Sequence, residues 1–193
     1  MLALGGLVVA SSTGCSASAK SQPDDPIVYD AAYVSYDSLE SLTASAELVI
    51  EGVVVSSEVR KIALKSTSGS ADPTANPAFG ATTEPIEAAA PIYTVFTIEI
   101  DRVIEGDVVV GSLVEVKQLG GTFGSETAVQ RDAANLVKGS TYVLYLGSPD
   151  YGPASLLNQT QAAYVETAPG EFAPVVRGDA VATDIAAKLS SAK

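Results

Sequence analysis

The clearest alternation of apolar and polar positions lies in IYTVFTIEIDRVIEGD, where Phe96, Ile98 and Ile100 share one side of an extended chain and Thr97, Glu99 and Asp101 the other. A half-buried antiparallel strand is expected there, ended by a turn at Glu105, Gly106 and Asp107. The period returns from Leu113 to Gln118, with Val114 and Val116 inward and Glu115 and Lys117 outward, so the two strands should form a hairpin. Glu47 to Ile62 is dense in Val and Ile and broken by Gly52, which suits a long strand bent at a bulge; its β-branched content argues against a buried helix. STYVLYLGSP is a further strand with Tyr142 and Tyr145 on opposite faces, and Ala163 to Val176 gives strand, Pro169-Gly170 turn, strand, with Pro174 suited only to an edge.

Helical spacing appears twice. Asp37 and Glu40 have the separation of an Asp-type capping box, and Leu39, Leu42 and Ala46 follow on one face, predicting a short helix over 38–45. Near the end, Val181, Ile185 and Leu189 recur every four residues, with Asp184 one turn before Lys188, predicting an amphipathic helix that docks on the domain. The stretch QLGGTFGSETAVQRDAANLVKGS is expected to be irregular, with a helical turn around Ala128 to Ala134. Residues 63–91 carry four prolines and two glycines without periodicity and are expected to be one long mobile loop, either disordered or functional, with Phe79 and Ile86 as its candidate partner contacts.

The N-terminus poses a different question. Leu2 to Ala10 is an apolar run far short of the about 20 residues that span a bilayer, but within the range of a signal-peptide core. Small residues follow, and then Cys15, the only cysteine in the chain. This resembles the lipobox of bacterial lipoproteins, which implies cleavage between Gly14 and Cys15 and acylation of the Cys15 thiol. Position −3 is Ser12 where Leu is preferred, and no basic residue precedes the run; the second departure points to a translation start upstream of Met1. The tract SASAKSQPDDP has the composition of a tether. The expected organisation is a signal peptide over 1–14, a lipidated cysteine and tether over 15–34, and a single domain over 35–193. The expected location is the outer face of the bacterial cytoplasmic membrane, or the exterior if the signal is an ordinary secretory one.

Composition narrows the chemistry. A net charge of −12 leaves no footprint for phosphate backbones, so nucleic acid is an unsuitable partner. One cysteine forbids an intramolecular disulfide, and the absence of histidine removes His-based triads, HExxH zinc sites and histidine pH switches. No cofactor is expected. GGTFG at 120–124 lacks the ending of a phosphate loop and suits a tight turn. Ser190 and Lys193 match S-x-x-K only formally at the extreme C-terminus, and Asn158-Gln159-Thr160 is an incidental sequon. Glu99, Asp101, Glu105, Asp107 and Glu115 could meet across strands to bind calcium, or simply form a solvated face.

The ordered series SLESLTASAELVIEGVVV, YTVFTIEIDRVIEGD, LVEVKQLGG and LVKGSTYVLYL resembles a group of uncharacterised bacterial surface proteins. More distantly it resembles the OB-type barrel of netrin-like domains and tissue inhibitors of metalloproteinases, over roughly residues 36–146. The matching features are the apolar strand Glu47 to Val55, the Glu105-Gly106 turn, and Gly139, Tyr142 and Leu144. The resemblance implies a mainly β fold, a five- to six-stranded OB-like antiparallel barrel with a short N-terminal helix and a C-terminal helix. Those inhibitors act through a Cys-x-Cys at the mature N-terminus; here Ser16 and Ala17 follow Cys15, so that activity does not carry over. The function expected is a lipid-anchored, non-enzymatic domain that binds an envelope protein or small ligand. The alternatives are a carboxylate- or metal-assisted envelope hydrolase, or a passive spacer.

Overall fold

The Val- and Ile-rich segment forms β2 (Leu48–Lys61), which pairs antiparallel with β3 (Ile92–Glu105) along nearly its whole length. β3 in turn pairs with β4 (Leu113–Leu119), the hairpin its alternation predicts. The other edge of β2 pairs with β7 (Thr141–Gly147), and the short β8 (Ala154–Leu156) lies antiparallel to β7 and parallel to β4. The order β2-β3-β4-β8-β7 therefore returns to β2 as a closed ring of five strands. This is a computed structural model, and it describes residues 25–63, 90–147 and 152–191.

Outside the ring, β7 also pairs with β9 (Ala163–Ala168), which carries β10 (Glu171–Pro174) at the sheet edge, the place Pro174 requires. A helix, α1 (Leu39–Ser45), precedes β2, and another, α2 (Ala180–Ser191), packs against β10. β7 is covered on both faces: every residue from Tyr142 to Leu146 is at most 2% exposed, which explains an apolar run where a one-sided strand would alternate. One contiguous core joins Leu42 of α1, Ile50 of β2, Ile98 of β3, Val116 of β4, Leu144 of β7 and Ile185 of α2.

Several local expectations are corrected. α1 is capped by Ser38, whose Oγ accepts from the Ser41 amide at 3.2 Å while the Ser38 amide donates back to Ser41 Oγ at 3.1 Å; the capping pair is thus one residue on from Asp37 and Glu40 at its start. No helical turn forms at Ala128 to Ala134. Residues Glu126–Gln130 are a strand, β6, paired antiparallel with β5 (Gly121–Phe123) around a turn at Gly124 (φ 61°). Against the other edge of β6 lies β1 (Ile27–Tyr29), in parallel register from Ile27↔Ala128 to Tyr29↔Gln130, so part of the segment assigned to the tether is built into a second, three-stranded sheet. The bulk of the long loop, with Phe79 and Ile86, lies outside the described residues; its base is fixed by Lys61 opposite Ile92 and by the Ile62 amide donating to Pro91 O at 3.1 Å.

Two features of this core carry tests. β2 is bulged at Glu51/Gly52, and a Cβ on Gly52 would collide with the backbone carbonyl of Glu99 and with Ile98 Cγ2. Gly52→Ala should therefore lower stability by about 1–3 kcal/mol, the usual cost of overpacking, read as a reduced urea midpoint at unchanged slope. The second feature is the aromatic pair Tyr145 and Tyr164, whose rings meet edge to face at 6.0 Å and 81°. Burial pushes the Tyr145 phenol up to about 12, although a hydrogen bond to Thr43 pulls the other way. Burial raises Tyr164 as well, with Tyr145 and Asp179 adding to it. A raised phenol favours the folded state while neutral, so this stabilisation is complete below the unfolded value of about 10 and is lost as pH rises through 12. Tyrosinate absorbance should show a late-titrating fraction whose appearance coincides with alkaline unfolding.

Candidate functional site

Along β4 the buried positions are every second residue, and the alternation that brings Val114 and Val116 to the core brings Gln118 there as well, with only 5% of its surface exposed. An amide in a core position must find partners. Gln118 Nε2 donates to Gln159 Oε1 at 2.8 Å, and the same oxygen accepts from the Ala134 amide at 3.1 Å. The backbone donor fixes which end of the Gln159 side chain is oxygen, and that in turn orients Gln118. Gln118 Oε1 and Gln159 Nε2 then remain, one acceptor and one donor without a protein partner among the described residues.

Gln159 belongs to the turn Asn158-Gln159-Thr160-Gln161, which follows β8. Asn158 Oδ1 accepts from the Thr160 amide (2.7 Å), Thr160 Oγ1 (2.9 Å) and the Gln161 amide (3.2 Å), the geometry of an Asx turn. Asn158 Nδ2 donates to Val34 O at 2.7 Å, and Gln161 exchanges hydrogen bonds with both the amide and the carbonyl of Tyr36. These bonds hold the segment after β1 against the ring. Asn158 is buried, so the sequon serves as a structural turn.

Two clefts flank the Gln118–Gln159 pair. One, about 190 Å³, lies between the ring and the small sheet, with Thr94 and Phe96 of β3, Gln118 of β4, and Ala128 and Gln130 of β6 in its walls. The other, about 130 Å³, is bounded by Tyr33, Tyr93, Lys117, Gln118, Ser155 and Gln159. Tyr33 is steered into place by Gln130, whose Nε2 donates to the phenol oxygen at 2.9 Å. Burial, with Tyr33 and Tyr29 close by, raises the Tyr93 phenol above its ordinary range, and burial lowers the Lys117 ammonium. Lys117 Nζ donates to Pro153 O at 2.9 Å.

The chain matches no family model, no curated protein and no solved structure.

Cys15, Gly14, Phe79 and Ile86 lie outside the described residues, so no geometry connects them to these clefts. The acidic residues are not gathered into a calcium site: Glu115 pairs with Arg60 across the sheet, Glu99 and Asp101 are exposed on β3, and among the described residues no group of three or more acidic side chains could hold a metal. Ser190 Oγ is engaged as a donor to Ala186 O and an acceptor from the Phe172 amide. GGTFG starts β5 and its turn, as its glycines require: Gly120 and Gly121 have φ of 110° and 129°. Sequence reasoning passed over Tyr33, Tyr93, Lys117, Gln118 and Gln159. One signal was present: Gln118 stands on the core-facing period of β4, where a polar residue needs an explanation.

The bond pattern predicts unequal costs at the glutamine pair. Gln159→Leu strands two buried donors, Gln118 Nε2 and the Ala134 amide, and should destabilise by about 1–3 kcal/mol. Gln118→Leu leaves Gln159 Oε1 still bonded to the Ala134 amide and should cost clearly less; chemical denaturation of both variants checks the order.

Proposed function

We propose that the chain is a lipid-anchored binding domain on the outer face of the bacterial cytoplasmic membrane, a non-enzymatic OB-type barrel whose partner is an envelope protein or a small ligand. Support for the barrel comes from the strand order: β7-β2-β3-β4 has the fourth-first-second-third arrangement of a Greek key, and β8 closes the gap between β4 and β7. The single observation that carries the binding reading is where the larger cleft lies. OB-type barrels take ligands on the face of their second and third strands, next to the loop joining the first and second. In this ring those strands are β3 and β4, which supply Thr94, Phe96 and Gln118 to the cleft. The corresponding loop leaves β2 after Lys61, which pairs with Glu126 at 2.9 Å and lies 5.7 Å from the centre of the Phe123 ring, so the β5–β6 hairpin stands beside the loop base. Phe79 and Ile86 are assigned to that loop as partner contacts.

The anchor is assigned to Cys15, with a second acyl chain needed for stable attachment. The roughly 12 residues from Cys15 to Ile27 reach at most about 40 Å, which keeps the ring close to the bilayer surface.

The test is in-cell crosslinking of the chain expressed behind a complete bacterial lipoprotein signal. Wild type should fractionate with membranes and capture a defined partner, Cys15→Ser should be released, and deletion of 63–91 should remove the partner without lowering the amount of folded protein. Membrane retention of Cys15→Ser would overturn the anchor, and an unchanged capture after loop deletion would overturn the working face.

A further inference from the structure

Lys117 is out of keeping with the charges around it. In a chain with twice as many acidic as basic residues, the other partly buried cations each have a carboxylate: Arg60 lies 2.8 Å from Glu58, Lys61 2.9 Å from Glu126 and Lys188 3.1 Å from Asp184. Lys117 has only the carbonyl of Pro153, and no acidic partner among the described residues. A partly desolvated ammonium without a counter-ion is unfavourable, and an acid-rich sequence has ample means to supply one. The cleft beside Lys117 is also lined by Gln159, Gln118 and Ser155; both glutamines are 5% exposed, and Gln159 Nε2 and Gln118 Oε1 are the ends left over by the Gln118–Gln159 and Ala134–Gln159 bonds.

We propose that this cleft binds a carboxylate with an adjacent N–H, the terminal group of an acylated amino acid or of a peptide chain. Lys117 Nζ and Gln159 Nε2 donate to the carboxylate, Gln118 Oε1 accepts the neighbouring N–H, and the rings of Tyr33 and Tyr93 form the wall met by the side chain. The single acceptor among the donors distinguishes this ligand from phosphate, which has no N–H to give. Size agrees: about 130 Å³ is well below the roughly 300–1,000 Å³ that takes a whole drug-sized molecule, and it suits an end group. This assignment names a ligand chemistry for the proposed binding domain and rests on that reading only for there being a ligand; neither the anchor nor the long loop enters it.

The experiment follows the Lys117 side-chain Nζ signal by NMR in the full chain, held in detergent and labelled with ¹⁵N-lysine, with N-acetylalanine as probe. The expected result is a saturable shift and an upward move of the Lys117 titration, since a bound carboxylate favours the ammonium. N-acetylalanine amide should bind at least tenfold more weakly. By isothermal titration calorimetry, Lys117→Met should weaken the acid at least tenfold at unchanged thermal midpoint, and exposed Lys138→Met should leave it unchanged. A peptide with a free C-terminus that binds more tightly than N-acetylalanine identifies a chain end as the ligand, and the reverse identifies the free acylated amino acid. No saturable shift, equal binding of the amide, or an equal shift with inorganic phosphate would each overturn the assignment, the last as an adventitious ion only. Partner capture that survives any of these failures leaves the binding-domain reading standing, and carboxylate binding without partner capture leaves the ligand assignment standing and removes the protein partner from that reading.

Discussion

Everything in this structure depends on β2 serving two edges at once. Between Val49 and Val53 it pairs with β3 on one side and β7 on the other, and only a strongly bent strand can hold both neighbours while they curve toward β4 and β8. The bend comes from register shifts at Val49/Ile50, Glu51/Gly52 and Val54/Ser56, and the second of the three uses the missing side chain of Gly52 to let β3 approach. Close approach has a second effect. Glu51, 8% exposed beside this bulge, is held by Arg102 of β3 through bonds of 2.9 and 2.6 Å, so a carboxylate can stay within the sheet.

Legibility in the sequence followed the range of the interactions. The long strands β2, β3, β4 and β7 could be located because each has its own apolar period or β-branched density, and β2 with β3 and β3 with β4 are neighbours along the chain as well as in space. The β9–β10 turn is likewise local, written in Pro169-Gly170. What could not be located was set by distant partners. ETAVQ has no strong signature, and becomes β6 because β5 and the far-removed β1 cover its two edges. β1 itself is three residues in polar, Pro-bounded surroundings and owes its conformation to β6. The capping error at α1 is a competition between adjacent candidates, in which serine hydroxyls at 38 and 41 outdid carboxylates at 37 and 40.

The candidate site was less legible than the fold, for a physical reason. Its groups come from the segment after β1, from β3, from β4, and from β8 and the turn after it, so no spacing in the sequence announces them. Gln118 and Gln159 are 41 positions apart and become a pair only when β8 is laid parallel to β4. The same turn shows how a motif can mislead: Asn158-Gln159-Thr160 has the letters of a glycan acceptor and spends its amide and hydroxyl groups on each other, on the Thr160 amide and on Val34.

The clamp on Val34 and Tyr36 also has a mechanical meaning. A pull on the N-terminus enters the molecule at β1, and passes next to the side-chain bonds from Asn158 and Gln161, before reaching α1 and the ring. Because β1 runs parallel to β6, force along β1 loads their backbone bonds together in shear. The walls of both clefts include residues on this path, Gln130 through its bond to Tyr33 and Gln159 within the clamping turn, so tension on the N-terminal segment would be felt at the clefts.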